Sequence, residues 1–467
     1  MNENILNLTN WINKIVWGYP LICLMIFTGV FFTFYLKLFQ FRYIKLITRN
    51  TLLNLFSNKE EKNDAKSISQ FQAMSTALAA TIGIGNIAGV ASAISIGGAG
   101  ALFWMWISAI LGMMSGFAEN VLGIYYRQKQ ENGVWRGGAM YYLEHCASNK
   151  NVGKILAVLF SFFCIVVSFG MGNMVQINTV ASIFKLNFGV SEFFLGMIAA
   201  IAVGLIIIGG IKRIGKITQF FVPFMALFYI IASLIICAIN YREIPGCVKD
   251  IFICAFNFNA IAGGVSGISI KKAVEMGVKR GVFSNEAGLG SSVSVHTSAD
   301  IKEPVEAGMW AIFEVFIDTI VVCSLTAFVI LLTKTNNISL EGASLVTLAF
   351  SNAFGKWAGK ILSVAIFMFG FATIIGWSFF GQNAWEYLFG KRNIYIYRII
   401  YIVCVFIGAV AELTLVWNIS DTFNALMAIP NLTGVLLLGK KVKIITDNYI
   451  SRKIKNKKDK PIYSYFE

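Results

Sequence analysis

The residues best suited to bind a small solute form a glycine-rich stretch, Thr81-Ile82-Gly83-Ile84-Gly85-Asn86-Ile87-Ala88-Gly89, inside an apolar segment. Each glycine in a helix costs about 1 kcal/mol relative to alanine, so the stretch predicts an interrupted helix. At such a break inside a membrane protein, freed carbonyls can bind a cation and free N–H groups can bind a carboxylate. The spacing Gly85–Gly89 equally suits close packing of two helices. From spacing alone, both interpretations stay open.

A second glycine-dense stretch, Ala260-Ile261-Ala262-Gly263-Gly264-Val265-Ser266-Gly267, lies in a later apolar segment. Two glycine-interrupted helices at matching places in two halves of a chain are typical of a transporter's binding site. Glycine is also common in membrane helices in general, so the match can be a coincidence. Together the two stretches favour a carrier over a helix-packing motif.

Ionisable residues inside apolar segments are costly, and they therefore indicate functional sites. Glu314 and Asp318 are four residues apart, which places them on one face of a predicted helix. We expect a structural or gating role for this pair, with Arg280 or Lys279 as the partner.

Gln176, Thr373 and Trp377 are polar residues of apolar segments that we expect to line a ligand cavity. Thr373 and Trp377 are also four residues apart and share a face. The mixed polar stretch Gly277–Ser291 is predicted to be cytoplasmic. It is either a solvated loop or an inner gate in which Arg280 and Glu286 make and break ion pairs.

The composition indicates that membrane helices position these residues. Of 467 residues, 57% are hydrophobic and only 13% are charged, whereas soluble domains have about 25% charged residues. The net charge of +15 lies in short runs between apolar segments, which is the pattern that orients membrane proteins, so no nucleic-acid partner is expected. The eight cysteines form no CxxC pair and predict neither disulfides nor a metal site.

Eleven membrane spans of about 20 residues each are predicted, and they form a single membrane domain. The basic loops alternate so that the N-terminus is outside and the C-terminus is cytoplasmic, in the inner membrane of a bacterial cell. A short external helix is expected within 341–354, and the tail Lys440–Lys460 is expected to be disordered near anionic lipid headgroups. The predicted spans are 18–37, 71–97, 100–126, 154–178, 192–211, 216–238, 251–274, 306–333, 358–388, 393–413 and 417–438.

An enzyme or a passive channel is the competing class of function. The two histidines, His145 and His296, fall in or near predicted cytoplasmic loops, and no catalytic pattern reaches the middle of the membrane. Closed cation and carboxylate sites favour a carrier over a channel. We therefore expect no enzyme activity and no cofactor.

Six motifs give the chain a resemblance to the alanine or glycine:cation symporter family. The resemblance runs from about residue 15 to 438. The motifs are Gln72–Gly100 with its central GIGNIAG, Trp135–Tyr142, Gly172–Gln176, Gly281–Gly290, Phe313–Cys323 and Thr373–Trp377. The resemblance implies an all-α fold like that of the leucine transporter, with two inverted five-helix repeats. These would cover 71–238 and 251–438, with 18–37 as an extra first helix and 440–467 as a basic tail.

The resemblance also implies a sodium site at the first break. The backbone carbonyls of Ala79 and Ile82 would be ligands, and Thr373 with a carbonyl near Phe369 would complete the site. Related proteins of this fold pair two hydroxyls in this span, but Ala372 leaves only Thr373 here. Proton coupling, or another small solute, therefore remains the alternative.

For the substrate, the resemblance implies that the N–H groups of Gly83–Gly85 hold the carboxylate. Gln176 and Asn86 would bind its polar ends. The side-chain pocket would be shaped by Trp377, Phe256 and Asn259, with Thr81 and Gly263 in the two glycine-rich stretches completing the set. The function implied is sodium-coupled uptake of alanine or glycine by alternating access, with sodium, the amino acid and membrane lipid as partners.

Overall fold

The computed structural model describes residues 3–55, 68–130, 133–256, 270–338, 340 and 342–466. Within these ranges the protein is almost entirely helical, with one short antiparallel ribbon of β1 (Gln128–Lys129) and β2 (Trp135–Arg136). The first helices are α1 (Glu3–Val16), α2 (Tyr19–Tyr35), α3 (Phe39–Arg42), α4 (Ile44–Asn50), α5 (Leu52–Leu55), α6 (Gln70–Thr81), α7 (Val90–Gly97) and α8 (Gly100–Tyr126). Next come α9 (Ala139–Leu143), α10 (Lys150–Phe169), α11 (Val175–Phe188), α12 (Glu192–Ile207) and α13 (Gly210–Ile239).

The second half of the chain continues the helical bundle. Its helices are α14 (Ile244–Phe256), α15 (Ile270–Asn285), α16 (Val293–His296), α17 (Pro304–Val315), α18 (Ser324–Leu332), α19 (Gly342–Phe354), α20 (Lys356–Phe389), α21 (Ile394–Val410), α22 (Leu413–Leu437) and α23 (Gly439–Lys453). Short 3₁₀ turns lie at Tyr241–Glu243, Thr335–Asn337 and Lys391–Asn393. Three π-helical segments, Gly85–Gly89, Gly170–Met174 and Phe316–Cys323, interrupt long helices, and such segments often mark functional sites.

Helix α13 shows why these apolar sequences form a membrane bundle. One face exposes large apolar side chains at helical spacing, as expected for contact with lipid. These exposed residues are Phe220, Phe224, Leu227, Ile231 and Leu234. The opposite face is buried and carries hydroxyls, which need protein partners. Thr218 lies 2.9 Å from the hydroxyl of Thr76, and Tyr229 lies 2.7 Å from that of Thr326.

In the described part of the chain, seven helices are long and apolar enough to cross a membrane, or nine if each bent pair counts as one span. The predicted count of eleven is therefore not confirmed. The predicted span 192–211 corresponds to the shorter helix α12. Part of the predicted span 251–274, between α14 and α15, lies outside the described residues. The helix expected within 341–354 is α19.

The first glycine-rich stretch does interrupt a helix, as predicted. Helix α6 ends at Thr81, and Ile82 has a non-helical ψ of 88°. The helix that resumes over Gly85–Gly97 is bent by 43° from α6. Residues 81–91, which contain the break, are all buried, so the irregular backbone faces protein rather than lipid.

A second interruption follows α15. Glu286, Gly288 and Gly290 have positive φ angles of 57°, 90° and 69°, and the chain turns here before the short helix α16. Of the two interpretations of Gly277–Ser291, the solvated loop is wrong, because almost all of this stretch is buried. The predicted break at Ala260–Gly267 lies outside the described residues.

Helix α15 begins at the end of the bundle where α7 meets α8. The carbonyl of Lys272 lies beside Gly97, next to the turn that joins α7 to α8. The ammonium of Lys271 lies 5.2 Å from the ring of Tyr19, at the start of α2. The end of the bundle with the Gly97–Gly100 turn is here called the Gly97 end. Lys271 and Lys272, at the start of α15, therefore lie at the Gly97 end.

The C-terminal tail is ordered, contrary to the prediction. Arg452 of α23 donates two hydrogen bonds, of 2.8 and 2.7 Å, to the carboxylate of Glu303. Further on, the N–H of Tyr465 donates to the carbonyl of Tyr125 at 2.8 Å, and the Tyr465 ring packs against His145. Specific ion-pair and aromatic contacts hold a segment whose composition alone indicated disorder.

Candidate functional site

The first break presents two backbone N–H groups to side-chain oxygens. The N–H of Gly83 donates to Oδ1 of Asn86 at 2.8 Å, and the N–H of Ile84 donates to Oε1 of Gln176 at 3.1 Å. Gln176 is held in turn by its own donation to the carbonyl of Met171 at 2.9 Å. The free donors of a broken helix attract negative oxygen, and here two amide oxygens satisfy them.

The same break meets α20 at Thr373. The hydroxyl of Thr373 donates to the carbonyl of Ala79 at 2.9 Å. A Cβ atom on Gly83 would lie only 2.3 Å from that hydroxyl oxygen. Glycine is therefore required at position 83 for Thr373 to approach the break. The structure thus brings together Ala79, Gly83 and Thr373, three residues that the family resemblance assigned to ion and substrate.

One turn further along α20, Trp377 reaches the second interruption. Its indole N–H donates to Oε1 of Glu286 at 2.7 Å, and Ser291 donates to Oε2 of Glu286 at 2.5 Å. A Cβ atom on Gly172 would lie 2.3 Å from Cγ of Trp377, so the indole packs directly on backbone. Trp377 is fully buried, which limits the space left between α20 and α11.

Asp318 connects the two interruptions. Its Oδ1 accepts hydrogen bonds from Nδ2 of Asn86 at 2.6 Å and from the hydroxyl of Ser284 at 3.2 Å, while its Oδ2 accepts from Thr319 at 2.8 Å. Asn86 belongs to the first break, and Ser284 lies at the end of α15. A buried carboxylate that is bonded to both breaks couples their positions.

The predicted partners of Glu314 and Asp318 are wrong. Glu314 lies 2.8 Å from Nε2 of the buried His296. Lys279 and Arg280 instead pair with Asp421, at 2.8 and 3.3 Å. Helix α15 thus places both cations beside α22, where Lys279 is buried and Arg280 is partly buried.

Asp421 is the functional candidate that the sequence reasoning missed. It is 2% exposed and lies within α22, between the breaks and the Gly97 end. Arg280 also lies 4.7 Å from the ring of Trp417, which stacks on Phe283 at 5.0 Å. Its position as an acid within an apolar segment was the available signal. These contacts form a charged and aromatic cluster between α15 and α22.

A second buried carboxylate, Glu119 of α8, supports the second interruption. It accepts hydrogen bonds from the backbone of Gly288 and Gly290. Nδ2 of Asn431 donates to Glu119 at 2.5 Å and also to the carbonyl of Gly288 at 2.8 Å. These contacts satisfy the backbone groups that a positive-φ turn leaves without helical partners.

A cavity of about 150 Å³ lies toward the opposite end of the bundle from Gly97. It is lined in part by Trp135, Ser298 and Gln382, and an ion pair between Arg136 and Glu386 crosses its wall. This cavity follows Trp377 along α20, on the side of the site away from Asp421.

Some predicted residues do not join the cluster. The ring of Phe256 is 49% exposed and packs on Phe103, so it does not line a buried pocket. The hydroxyl of Thr81 bonds within its own helix, to the carbonyl of Ala77 at 3.3 Å. Phe369 lies one turn before Thr373 and packs on Tyr229. Asn259 and Gly263 lie outside the described residues.

The family model described as the sodium:alanine symporter family matches residues 2–464. The chain belongs to the sodium:alanine symporter family. The sodium/alanine symporter AgcS of Methanococcus maripaludis is 44% identical over 436 residues, which cover 92% of this chain and 94% of AgcS. The probable sodium/glutamine symporter GlnT of Bacillus subtilis is 38% identical over 448 residues, 94% of this chain and 90% of GlnT. This symporter family consists of transporters, so the prediction of a transporter rather than an enzyme is confirmed.

Solved structures show the same fold. MhsT in complex with L-phenylalanine has a TM-score of 0.57 at 12% identity, covering 82% of this symporter and 98% of MhsT. A manganese transporter of Eremococcus coleocola has a TM-score of 0.52 at 15% identity, covering 80% of each chain. The predicted fold class, a helical membrane protein of the leucine-transporter-like fold, is confirmed. The symporter is therefore a multi-pass membrane transporter.

Proposed function

We propose that this symporter couples the entry of sodium to the import of small neutral amino acids, alanine and glycine above all. The observation that carries the proposal is the contact of Thr373 with the carbonyl of Ala79 beside Gly83. A hydroxyl and unwound carbonyls are the oxygen ligands that bind sodium in transporters of broken-helix design. The name of the relative AgcS supports the choice of alanine.

The cation would bind between α6 and α20. The carbonyls of Ala79 and Ile82, the Thr373 hydroxyl and a carbonyl near Phe369 would be its ligands. Bound there, sodium holds the break of α6 against α20, which favours the substrate's place at the N–H groups of the same break. The coupling is reciprocal, so the amino acid raises the affinity for sodium by the same factor.

The substrate carboxylate would bind the N–H groups of Gly83 and Ile84. A carboxylate is a stronger acceptor than an amide, so it would displace the oxygens of Asn86 and Gln176 from those donors. The two freed amides could then bind the other polar ends of the substrate. Trp377, packed on Gly172, would restrict the substrate side chain to a hydrogen or a methyl group.

In the orientation we propose, the Gly97 end faces outward and the chain lies in the inner membrane with its C-terminus in the cytoplasm. The pair of Asp421 with Lys279 and Arg280 is then an outer gate, and the Arg136–Glu386 pair lies on the cytoplasmic path. The inverted repeats would span 71–238 and 251–438, and the basic residues of α23 would lie near lipid headgroups. Alternating access would open these two pairs in turn.

Proton coupling is the second candidate because of two buried acids. Asp318 and Glu286 make hydrogen bonds but no ion pair with a basic residue in the described part of the chain. A buried carboxylate without a counter-charge is able to exchange a proton during transport.

One assay tests both candidates: uptake of labelled alanine by proteoliposomes with an inward sodium gradient, an inward proton gradient, or neither. Sodium symport requires concentrative uptake with sodium alone, abolished by an ionophore that collapses the sodium gradient. Uptake driven only by the proton gradient would select the alternative. Non-concentrative uptake under every condition would contradict symport altogether.

A further inference from the structure

The N-terminal helix α1 contacts the ion pair that forms the proposed outer gate. Oδ1 of Asn13 accepts a hydrogen bond of 2.8 Å from the ammonium of Lys279, the same ammonium that lies 2.8 Å from Asp421. The indole N–H of Trp17 donates to the backbone carbonyl of Asp421 at 2.9 Å. Two residues near the N-terminus thus bind both partners of one ion pair.

The contacts of Asn13 and Trp17 are buried, and both residues make additional contacts in the same place. Asn13 is 8% exposed and Trp17 is 2% exposed. Nδ2 of Asn13 also donates to the carbonyl of Asn418 at 3.2 Å, which ties α1 to α22 next to Asp421. The Trp17 ring lies 5.5 Å from the Lys279 ammonium, a favourable cation–π distance. Lys279 therefore has its charge and its hydrogen bonds satisfied only when α1, α15 and α22 meet.

The opposite face of α1 has a different character. Leu8, Trp11 and Ile15 follow each other at helical spacing and are each more than half exposed. An apolar stripe with a tryptophan, on a helix that precedes a membrane span, suits the lipid–water interface. Lipid contact on one face would hold α1 in place while the other face contacts the ion pair.

We propose that Asn13 and Trp17 are positioning residues of the outer gate, and that α1 stabilises the closed gate. The inference rests on the proposed function, because it assigns the Asp421 pair to the gate of a symporter. When α15 moves away from α22, Lys279 leaves both Asp421 and Asn13. Any loss of the α1 contacts therefore destabilises the closed state more than the open one.

Loss of the α1 contacts would change both the sodium dependence and the rate of transport. Sodium reaches its site through the open outer gate, and its apparent affinity is scaled by the fraction of protein in the open state. Weakening the closed state raises that fraction and lowers the sodium concentration for half-maximal uptake. Turnover falls, because every transport cycle must pass through closure of the gate.

The experiment compares Asn13→Ala and Trp17→Phe with Asn10→Ala. Asn10 lies on the same helix and hydrogen-bonds to Asn418 at an exposed site, without contact to Lys279 or Asp421. In proteoliposomes we expect both gate variants to lower the half-saturating sodium concentration and the maximal rate by about five- to tenfold, the lower range of measured couplings. Asn10→Ala is expected to match the unmodified protein. A lower rate with unchanged sodium dependence, or an equal effect in Asn10→Ala, would overturn the proposal.

A second readout does not depend on alanine transport. Cys323 is buried next to Asn86 and Ser284, beneath the proposed gate. We expect a membrane-impermeant maleimide applied outside to modify Cys323 about five- to tenfold faster in Asn13→Ala, measured by peptide mass mapping. An unchanged labelling rate in folded protein would refute the role of α1. Faster labelling in a protein that fails to take up alanine would instead refute the proposed substrate.

Discussion

The indole N–H of Trp377 donates a 2.7 Å hydrogen bond to the carboxylate of Glu286, and this bond joins α20 to the turn that follows α15. On the preceding turn of α20, Thr373 bonds to Ala79 in the first break. One face of α20 therefore contacts both the first break and the turn that follows α15. A displacement of α20 relative to either break must break one of these two bonds.

Trp377→Phe removes the N–H and keeps an aromatic ring. Oε1 of Glu286 then loses its donor in a buried site, which costs about 1–3 kcal/mol. We expect alanine uptake to fall about tenfold or more and the Tm to fall by a few degrees. Radiolabel uptake and thermal unfolding in detergent measure the two effects. Because Trp385→Phe removes a comparable indole bond, to the carbonyl of Asn393, it is the control and should keep near-normal uptake.

Gly83→Ala places a methyl group 2.3 Å from the hydroxyl of Thr373. Since that distance is far below van der Waals contact, α6 and α20 must separate. We expect sodium-dependent uptake to be lost in a protein that still elutes as a folded particle. Gly246→Ala is the control, because no atom lies within 4 Å of its added methyl. Retained sodium-dependent uptake in Gly83→Ala would show that the contact is dispensable.

Thr373→Ala removes the only hydroxyl that we assign to the cation site. The half-saturating sodium concentration should rise by about tenfold, equivalent to about 1.4 kcal/mol of sodium binding. Thr373→Ser keeps the hydroxyl and should restore most of the affinity. Sodium titration of alanine uptake distinguishes the two variants. Equal sodium dependence in all three proteins would place the cation elsewhere.

Asp421→Asn leaves two buried cations, Lys279 and Arg280, without their carboxylate. Removing one partner of a buried ion pair typically costs about 3–5 kcal/mol. We expect a clear fall in thermal stability and in the maximal rate of uptake. The exposed pair Lys185–Glu192 gives the control, since Glu192→Gln should cost at most about 1 kcal/mol. A similar loss of stability in both variants would show that the buried ion pair contributes no more to stability than the exposed one.

Local sequence was sufficient for the first break but not for the second. Three glycines around Asn86 disfavour a helix whatever surrounds them, and the chain does bend there. At the second interruption, the glycines are accompanied by Lys279, Arg280 and Glu286, which resemble a solvated loop. Their burial depends on Asp421 and Trp377, which are distant in sequence and whose proximity no local pattern shows.

The partners of the buried acids were not predictable for the same reason. Glu314 and Asp318 share a helix face, but the first lies beside His296 and the second bonds to Asn86. Charge alone suggested lysine or arginine for both. In the folded chain an amide and two hydroxyls satisfy Asp318, because hydrogen bonding can offset burial without a counter-charge.

The amide oxygens of Asn86 and Gln176 that bond to Gly83 and Ile84 have one more consequence. After a carrier releases its substrate, it must return across the membrane empty. Unpaired N–H groups at a broken helix would disfavour that step, because each buried donor without a hydrogen bond costs free energy. In the proposed mechanism, Asn86 and Gln176 would take the place of the substrate carboxylate at these two donors. The empty carrier would then return across the membrane with the N–H groups of Gly83 and Ile84 already paired.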